Sequence, residues 1–212
     1  MEKAYRNLGY ILLLLIPLTI LAFYKTYFAH FPTFADTKTN IHLHAAVASL
    51  WIIMLIAQPL LIRNKQYRWH RTLGKISYII FPLLIISFVP QMIKLVNSED
   101  SRVLFFPLAD CIALILFYGL AIYHRRNVSK HMRYMIGTVL IFLGPILGRI
   151  GPFWFGIPPG INQNLMYAVI YLILAVLIIS DLKNKRKYQP YLLIAGVWIA
   201  HQVVFLGLFL LS

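Results

Sequence analysis

The stretch that decides the fold of this chain runs from Ile41 to Ile62 and reads IHLHAAVASLWIIMLIAQPLLI. It contains no Asp, Glu, Lys or Arg, and a helix of this length can cross the ~30 Å of hydrocarbon in a bilayer. Continuous apolar character without a two-residue alternation is typical of a membrane helix and not of a strand in a membrane barrel. We therefore predict that this segment is a transmembrane α-helix.

Similar apolar segments lie on both sides of it. Of the 212 residues, 60% are hydrophobic and 12% are charged, whereas a soluble domain has about 25% charged residues. We predict an all-α integral membrane protein, a seven-helix bundle that occupies residues 1–212 as a single transmembrane domain, with an uncleaved first span. The predicted spans are residues 8–24, 41–62, 73–93, 103–123, 132–148, 165–180 and 191–211.

The lysines and arginines indicate how the chain is oriented, because short cytoplasmic loops are enriched in them. Fifteen of the 20 fall at the N-terminus and in alternate connections, and five fall on the other side. We therefore predict a cytoplasmic N-terminus, an external C-terminus and a bacterial cytoplasmic (inner) membrane location. The larger set comprises Lys3, Arg6, Arg63, Lys65, Arg68, Arg71, Lys75, Arg125, Arg126, Lys130, Arg133, Lys183, Lys185, Arg186 and Lys187.

The formal net charge of +14 does not indicate nucleic-acid binding, since the basic residues form short clusters between apolar runs and leave no continuous patch. We expect the lipid bilayer as the main partner, and the sequence leaves open a membrane-protein partner or a homo-oligomer. The single cysteine, Cys111, excludes a disulfide framework and a thiolate metal cluster. No zinc-protease, Walker-type or nucleophile-elbow motif is present.

The segment Arg149–Asn164, RIGPFWFGIPPGINQN, contains three prolines and three glycines. We predict that it is an irregular external loop. Its aromatic residues are typical of the membrane interface, and a lid over an outward-facing site is the alternative.

Two histidines lie at matching places on the cytoplasmic side. His70 opens the predicted third span and His131 the fifth, each after a basic turn. Two neutral imidazoles at one depth on facing helices can ligate a b-type haem, so both are candidate axial ligands. The alternative is that both lie at the interface and contact lipid phosphates.

Four ionisable residues in or near the outer half of the spans form a second candidate set. Such groups are costly in a bilayer and often mark proton relays or substrate pathways. Asp110, which we take as the only carboxylate well inside a span, is expected either to pair with Arg149 or to line an outward polar cavity with His44 and His201. His201, near the midplane, is either a relay group or a packed residue bonded to a neighbouring helix. No metal site is predicted from these residues.

Several motifs resemble those of an uncharacterised family of bacterial polytopic membrane proteins. They include FYKTYFAHF (23–31), HLHAAVASLW (42–51), WHRTLGK (69–75), KHMRYM (130–135) and GPILGR (144–149). Ala45 stands where the family has Gly. The resemblance covers about Phe23–Arg149 and implies a polytopic membrane fold, but no activity.

A looser likeness is to the cytochrome b561-type helix bundle, in which histidines on alternate helices hold two haems. That likeness implies a cytoplasmic haem pair at His70 and His131. His44 has no histidine partner in the fourth span, where Asp110 stands instead, so at most one haem follows unless His201 substitutes.

The sequence thus leaves several function classes open. A haem-binding membrane redox protein is favoured, and a small proton-coupled permease that uses an outward cavity is the first alternative. A non-catalytic assembly or structural factor is the second. A metal-dependent intramembrane hydrolase would require three ligands at one depth, which the predicted topology does not clearly offer.

Overall fold

The computed structural model describes residues 5–35 and 37–209, and every regular element in them is a helix. The chain divides into two compact units, Met1–Ser101 and Arg102–Ser212. Lys3 and the end of the predicted seventh span, residues 210 and 211, lie outside the described residues.

The first unit is built on two long helices. They are α3 (Thr39–Arg63) and α4 (Tyr67–Val96), preceded by the shorter α1 (Leu8–Leu12) and α2 (Leu15–Phe23) and by a 3₁₀ turn at Phe28–His30. α3 packs against α4 and α1. At the α1 contact, a Cβ on Gly9 would lie 2.6 Å from the Leu60 side chain, so this close approach requires glycine.

The break between α1 and α2 lies just before a proline, Pro17, in the first turn of α2. Pro17 has no N–H to donate to Leu13 O, and its ring disfavours a helical turn at the residues before it. Leu13 and Leu14 instead donate their N–H groups three residues back, to Tyr10 O and Ile11 O. The segment 8–23 is therefore a shorter apolar helical segment with a local break.

The second unit consists of four long helices. They are α5 (Phe105–Tyr123), α6 (Val128–Phe155), α7 (Pro159–Lys183) and α8 (Gln189–Phe209), and a 3₁₀ turn at Ser101–Leu104 leads into α5. α6 packs against α5, α7 and α8. A Cβ on Gly137 would lie 2.9 Å from Ile194 and 3.1 Å from Phe117, so this glycine lets α6 approach α8 and α5 closely.

In the described part of the chain, six helices, α3 to α8, are long and apolar enough to cross a membrane. This agrees with the prediction of an all-α, multi-pass membrane protein. The observed helices extend beyond most of the predicted spans.

The prediction of an irregular loop at 149–164 is wrong. α6 continues through Pro152 to Phe155, and α7 already begins at Pro159. A proline at the first helical position loses no hydrogen bond, because that N–H has no helical partner. α6 instead ends before Gly156, whose φ of 64° lies in the left-handed region that favours glycine.

Candidate functional site

A polar cluster in the second unit is centred on His201. On α8 the buried residues Ile194, Trp198, His201 and Phe205 recur every three or four positions, which places His201 on the inward stripe of the helix. Its Nδ1 atom lies 2.7 Å from the Tyr167 hydroxyl of α7. This observation supports the alternative in which His201 bonds a neighbouring helix, and the same bond would serve a relay.

The second nitrogen of His201 faces a carboxylate. Its Nε2 lies 3.9 Å from Asp110 Oδ1 of α5, which exceeds the length of a direct hydrogen bond. The residue is 8% exposed, and Nε2 has no hydrogen-bond partner among the described residues. Asp110, His201 and Tyr167 thus form a row in which the imidazole stands between a carboxyl and a phenol.

The described residues do not form the predicted ion pair between Asp110 and Arg149. The ionic contact of Asp110 is with His201, whereas Arg149 donates from Nη1 to Pro145 O at 3.0 Å, one turn earlier on α6. Asp110 is therefore left with an imidazole, which can carry or lack a charge, as its ionic partner.

Space remains beside the carboxylate on its α6 side. A Cβ on Gly144 would lie 3.7 Å from Asp110 Oδ2 and 3.8 Å from Met166 Sδ, which are ordinary contact distances. The missing side chain at Gly144 thus leaves room for about one methyl-sized group. The Asp110 side chain itself is 17% exposed.

Aromatic rings surround the imidazole. The centroids of Phe105, Trp198 and Tyr167 lie 4.6, 5.3 and 5.7 Å from that of His201. Such rings exclude water and attract cations through their faces.

A chain of polar groups runs between α7 and α8. The Tyr171 hydroxyl donates to Gln202 Oε1 at 2.8 Å, and Gln202 Nε2 donates to Asn164 Oδ1 at 3.3 Å. Sequence reasoning missed Tyr167, since a tyrosine in an apolar run is common, and only the packing of α7 on α8 shows that its hydroxyl meets His201.

His44 lies in the first unit. Its Nδ1 atom is 2.9 Å from Ser87 Oγ, and Ser87 donates its single hydroxyl proton to Leu84 O at 2.6 Å. Ser87 therefore accepts a hydrogen bond from His44, whose proton is on Nδ1. The predicted role of His44 in a cavity with Asp110 stays a prediction.

The two candidate haem ligands belong to different units. His70 lies near the start of α4 and His131 near the start of α6. His131 Nδ1 lies 2.8 Å from Ala121 O, and since a carbonyl only accepts, Nδ1 carries the proton and Nε2 presents its lone pair. This is the tautomer required of a histidine that binds iron through Nε2, and the role of His131 as a haem ligand stays a prediction.

A second carboxylate inside a helix was missed. α7 extends to Lys183, so Asp181 lies inside this helix, and it is 0% exposed. Asp110 is therefore not the only carboxylate inside a long apolar helix. The Oδ2 atom of Asp181 accepts a hydrogen bond from Arg133 Nε at 2.6 Å, and Arg133 is also 0% exposed. Arg133 donates further to Ser129 O at 2.9 Å and lies over the Tyr191 ring at 5.7 Å. This ion pair joins α6 to α7.

Within the described part of the chain, no three His, Cys, Asp or Glu side chains gather as they would around a metal ion. Comparisons of the chain with protein-family models, with curated proteins and with solved structures found no match. The resemblance to an uncharacterised bacterial family stays a prediction.

Proposed function

We propose that the chain is a small proton-coupled permease in which Asp110 carries the proton. The observation that supports this function best is the row formed by Asp110, His201 and Tyr167, contributed by three different helices. Ionisable groups inside membrane proteins are costly and are retained where protons or substrates move. Arg149 and His44 lie outside this row, and their part in transport is a separate proposal.

The imidazole gives the row a means of moving a proton. When the Tyr167 hydroxyl donates to Nδ1, Nε2 carries the ring proton toward Asp110; when Nδ1 donates to the hydroxyl, Nε2 presents a lone pair. In this exchange Nε2 gives its proton to an ionised Asp110, Nδ1 takes the hydroxyl proton of Tyr167, and the phenolate takes up the incoming proton, so that one proton crosses the row. A carboxyl on one side and a phenol on the other are a proton donor and acceptor suited to that exchange.

The proposal includes the topology. We propose seven spans, with the segment 8–23 as the first; at ~1.5 Å per residue it is roughly 24 Å long, and a bilayer adapts to a short span at modest cost. The turns α3–α4, α5–α6 and α7–α8 hold basic clusters, which supports a cytoplasmic N-terminus and an external C-terminus. We propose the bacterial cytoplasmic membrane as the location.

Proteoliposomes with an internal pH dye and an imposed pH gradient test the permease. We expect at least one member of a panel of amines, amino acids, sugars and metal cations to accelerate proton movement in the wild type, and Asp110→Asn to abolish that acceleration. Glu99→Gln, at an exposed carboxylate, is the matched control and should move protons at the wild-type rate. A panel without effect on the wild type, or an unchanged rate in Asp110→Asn, would refute the proposal.

A second candidate function is one-electron transfer by a bound b-type haem. The observation in its favour is the His131 tautomer, which the bond to Ala121 O fixes with Nε2 available as a ligand. His131 would hold the group, which would supply the redox chemistry, and the part of His70 stays a prediction.

Visible absorption spectra of haem-replete, purified protein, oxidised and then reduced, test this second function. We expect a Soret band with sharp reduced α and β bands that His131→Ala removes or shifts. A colourless, folded protein would exclude it.

A further inference from the structure

We propose that the space between Asp110 and His201 binds a small protonated amine, which makes alkylammonium ions the substrate class of the permease. This inference rests on the proposed function, since it assigns a ligand to the same site. Three observations support it: the distance between two acceptors, the absence of a hydrogen-bond partner for the buried His201 Nε2 among the described residues, and the open space at Gly144.

The two acceptors are spaced for one nitrogen. Asp110 Oδ1 and His201 Nε2 are 3.9 Å apart, so an ammonium nitrogen at roughly 2.8 Å from each can donate one N–H to each of them. A direct bond between the two groups would need a shorter separation. The separation is therefore too long for a hydrogen bond between the two groups, and it suits a donor that bonds to both of them.

The hydrogen-bonding state of His201 also favours a donor as ligand. The residue is more than nine-tenths buried, and Nε2 has no partner among the described residues, an arrangement that costs free energy until a ligand supplies one. The bond between Nδ1 and the Tyr167 hydroxyl can run in either direction, and in the tautomer that binds the amine Nδ1 donates to the hydroxyl, so Nε2 is an acceptor. An N–H cation satisfies it, whereas a cation without N–H groups does not.

The charges and the space are complementary to a small amine. An ionised Asp110 with a neutral His201 carries one negative charge, which one ammonium balances. The rings of Phe105 and Trp198 next to the imidazole attract a cation within about 6 Å of their faces. The methyl-sized space at Gly144 limits the substituent on the nitrogen to a small alkyl group.

Exchange of a proton for the amine follows because both bind to the Asp110 carboxylate. A protonated Asp110 that takes up methylammonium becomes an ion pair and releases one proton, so the carboxyl binds either the proton or the amine. Mutually exclusive occupation of one carboxylate couples the movement of the two.

Titration calorimetry on the purified full chain, with methylammonium and tetramethylammonium as the probes, tests the inference. We expect methylammonium to bind at least tenfold more tightly, because tetramethylammonium has the same charge but no N–H. We expect Asp110→Asn to abolish methylammonium binding, and Glu99→Gln to leave it unchanged. The comparison of the two cations needs no variant, so a failure of Asp110→Asn to fold does not affect it.

A glycine pair provides the size test. Gly144→Ala fills the space beside Asp110 at ordinary contact distances, whereas a Cβ on Gly148 meets nothing within 4 Å. We expect Gly144→Ala to weaken methylammonium binding at least tenfold and Gly148→Ala to leave it unchanged.

The outcomes separate this inference from the permease itself. Equal affinity for the two cations, or methylammonium binding that survives Asp110→Asn or Gly144→Ala, overturns the amine site. If methylammonium does not bind while another solute still drives Asp110-dependent proton movement, the amine assignment is wrong and the permease stands. If no solute drives Asp110-dependent proton movement, the permease is refuted whatever the binding result.

Discussion

The buried ion pair between Arg133 and Asp181 should make a large contribution to the stability of the second unit. Both side chains are 0% exposed and their contact is 2.6 Å. Replacing either partner alone leaves the other charge in a dry interior without this contact, which costs about 3–5 kcal/mol. We therefore expect Arg133→Met and Asp181→Leu each to lower the free energy of unfolding by that amount.

The double variant distinguishes a paired charge from simple loss of packing. Arg133→Met combined with Asp181→Leu removes both charges and substitutes apolar groups, and such replacements are often neutral or stabilising. We expect the double variant to be more stable than either single variant. The coupling free energy from the double-mutant cycle should exceed about 1 kcal/mol.

Equilibrium unfolding in mixed detergent micelles, with increasing SDS, supplies the four free energies. Arg126→Met, at an exposed arginine near the start of α6, is the control and should stay within about 0.5 kcal/mol of the wild type. The assignment of a buried, mutually dependent pair would be refuted if the single variants were as stable as this control. It would also be refuted if their changes in the free energy of unfolding simply added in the double variant.

Two further predictions concern the contacts of α7 with α6 and α8. Gly151→Ala places a Cβ in steric overlap with the Asn162 side-chain amide, so we expect the free energy of unfolding to fall by about 1–3 kcal/mol through overpacking in the same assay. A Cβ on Gly160 meets nothing within 4 Å, so Gly160→Ala should have a far smaller effect, and equal effects would contradict the close contact. Tyr167→Phe removes the hydroxyl that bonds His201 Nδ1. We expect the free energy of unfolding to fall by about 1 kcal/mol and the His201 imidazole ¹⁵N resonances to shift. Unchanged resonances would show that the bond is absent.

Much of the helical architecture was predictable because length and polarity determine it. The segment 41–62 lacks charged residues, and the observed α3, Thr39–Arg63, extends it by only two residues at the start and one at the end. The first segment was less predictable, because Pro17 interrupts the helix through a local backbone effect that a hydropathy profile does not record.

The errors at the span ends had consequences for the site. A predicted sixth span that stopped at Ser180 excluded Asp181, although one more residue would have revealed a second buried carboxylate. The loop predicted at 149–164 was wrong because the effect of a proline depends on its position: Pro159 suits a first helical turn, and composition alone does not show where that turn begins.

The candidate site was predicted only in part. Asp110 and His201 were identifiable because an ionisable residue in an apolar run is conspicuous. Tyr167 was not, because a tyrosine in such a run is common, and its role depends on which residue of α8 it faces. The bond of Arg149 to Pro145 O likewise depends on a rotamer that a sequence does not specify.

The contributions of α5, α7 and α8 to one site have a consequence for biosynthesis. A nascent chain inserts α5, which carries Asp110, well before α8 leaves the ribosome, since membrane helices insert first and associate afterwards. Until α8 docks, Asp110 lacks its His201 neighbour, and the inward faces of α5 and α6 that α8 covers are open to lipid or chaperones. The polar row therefore forms only when α8 docks, and the stage before docking is when membrane quality control has access to an exposed carboxyl.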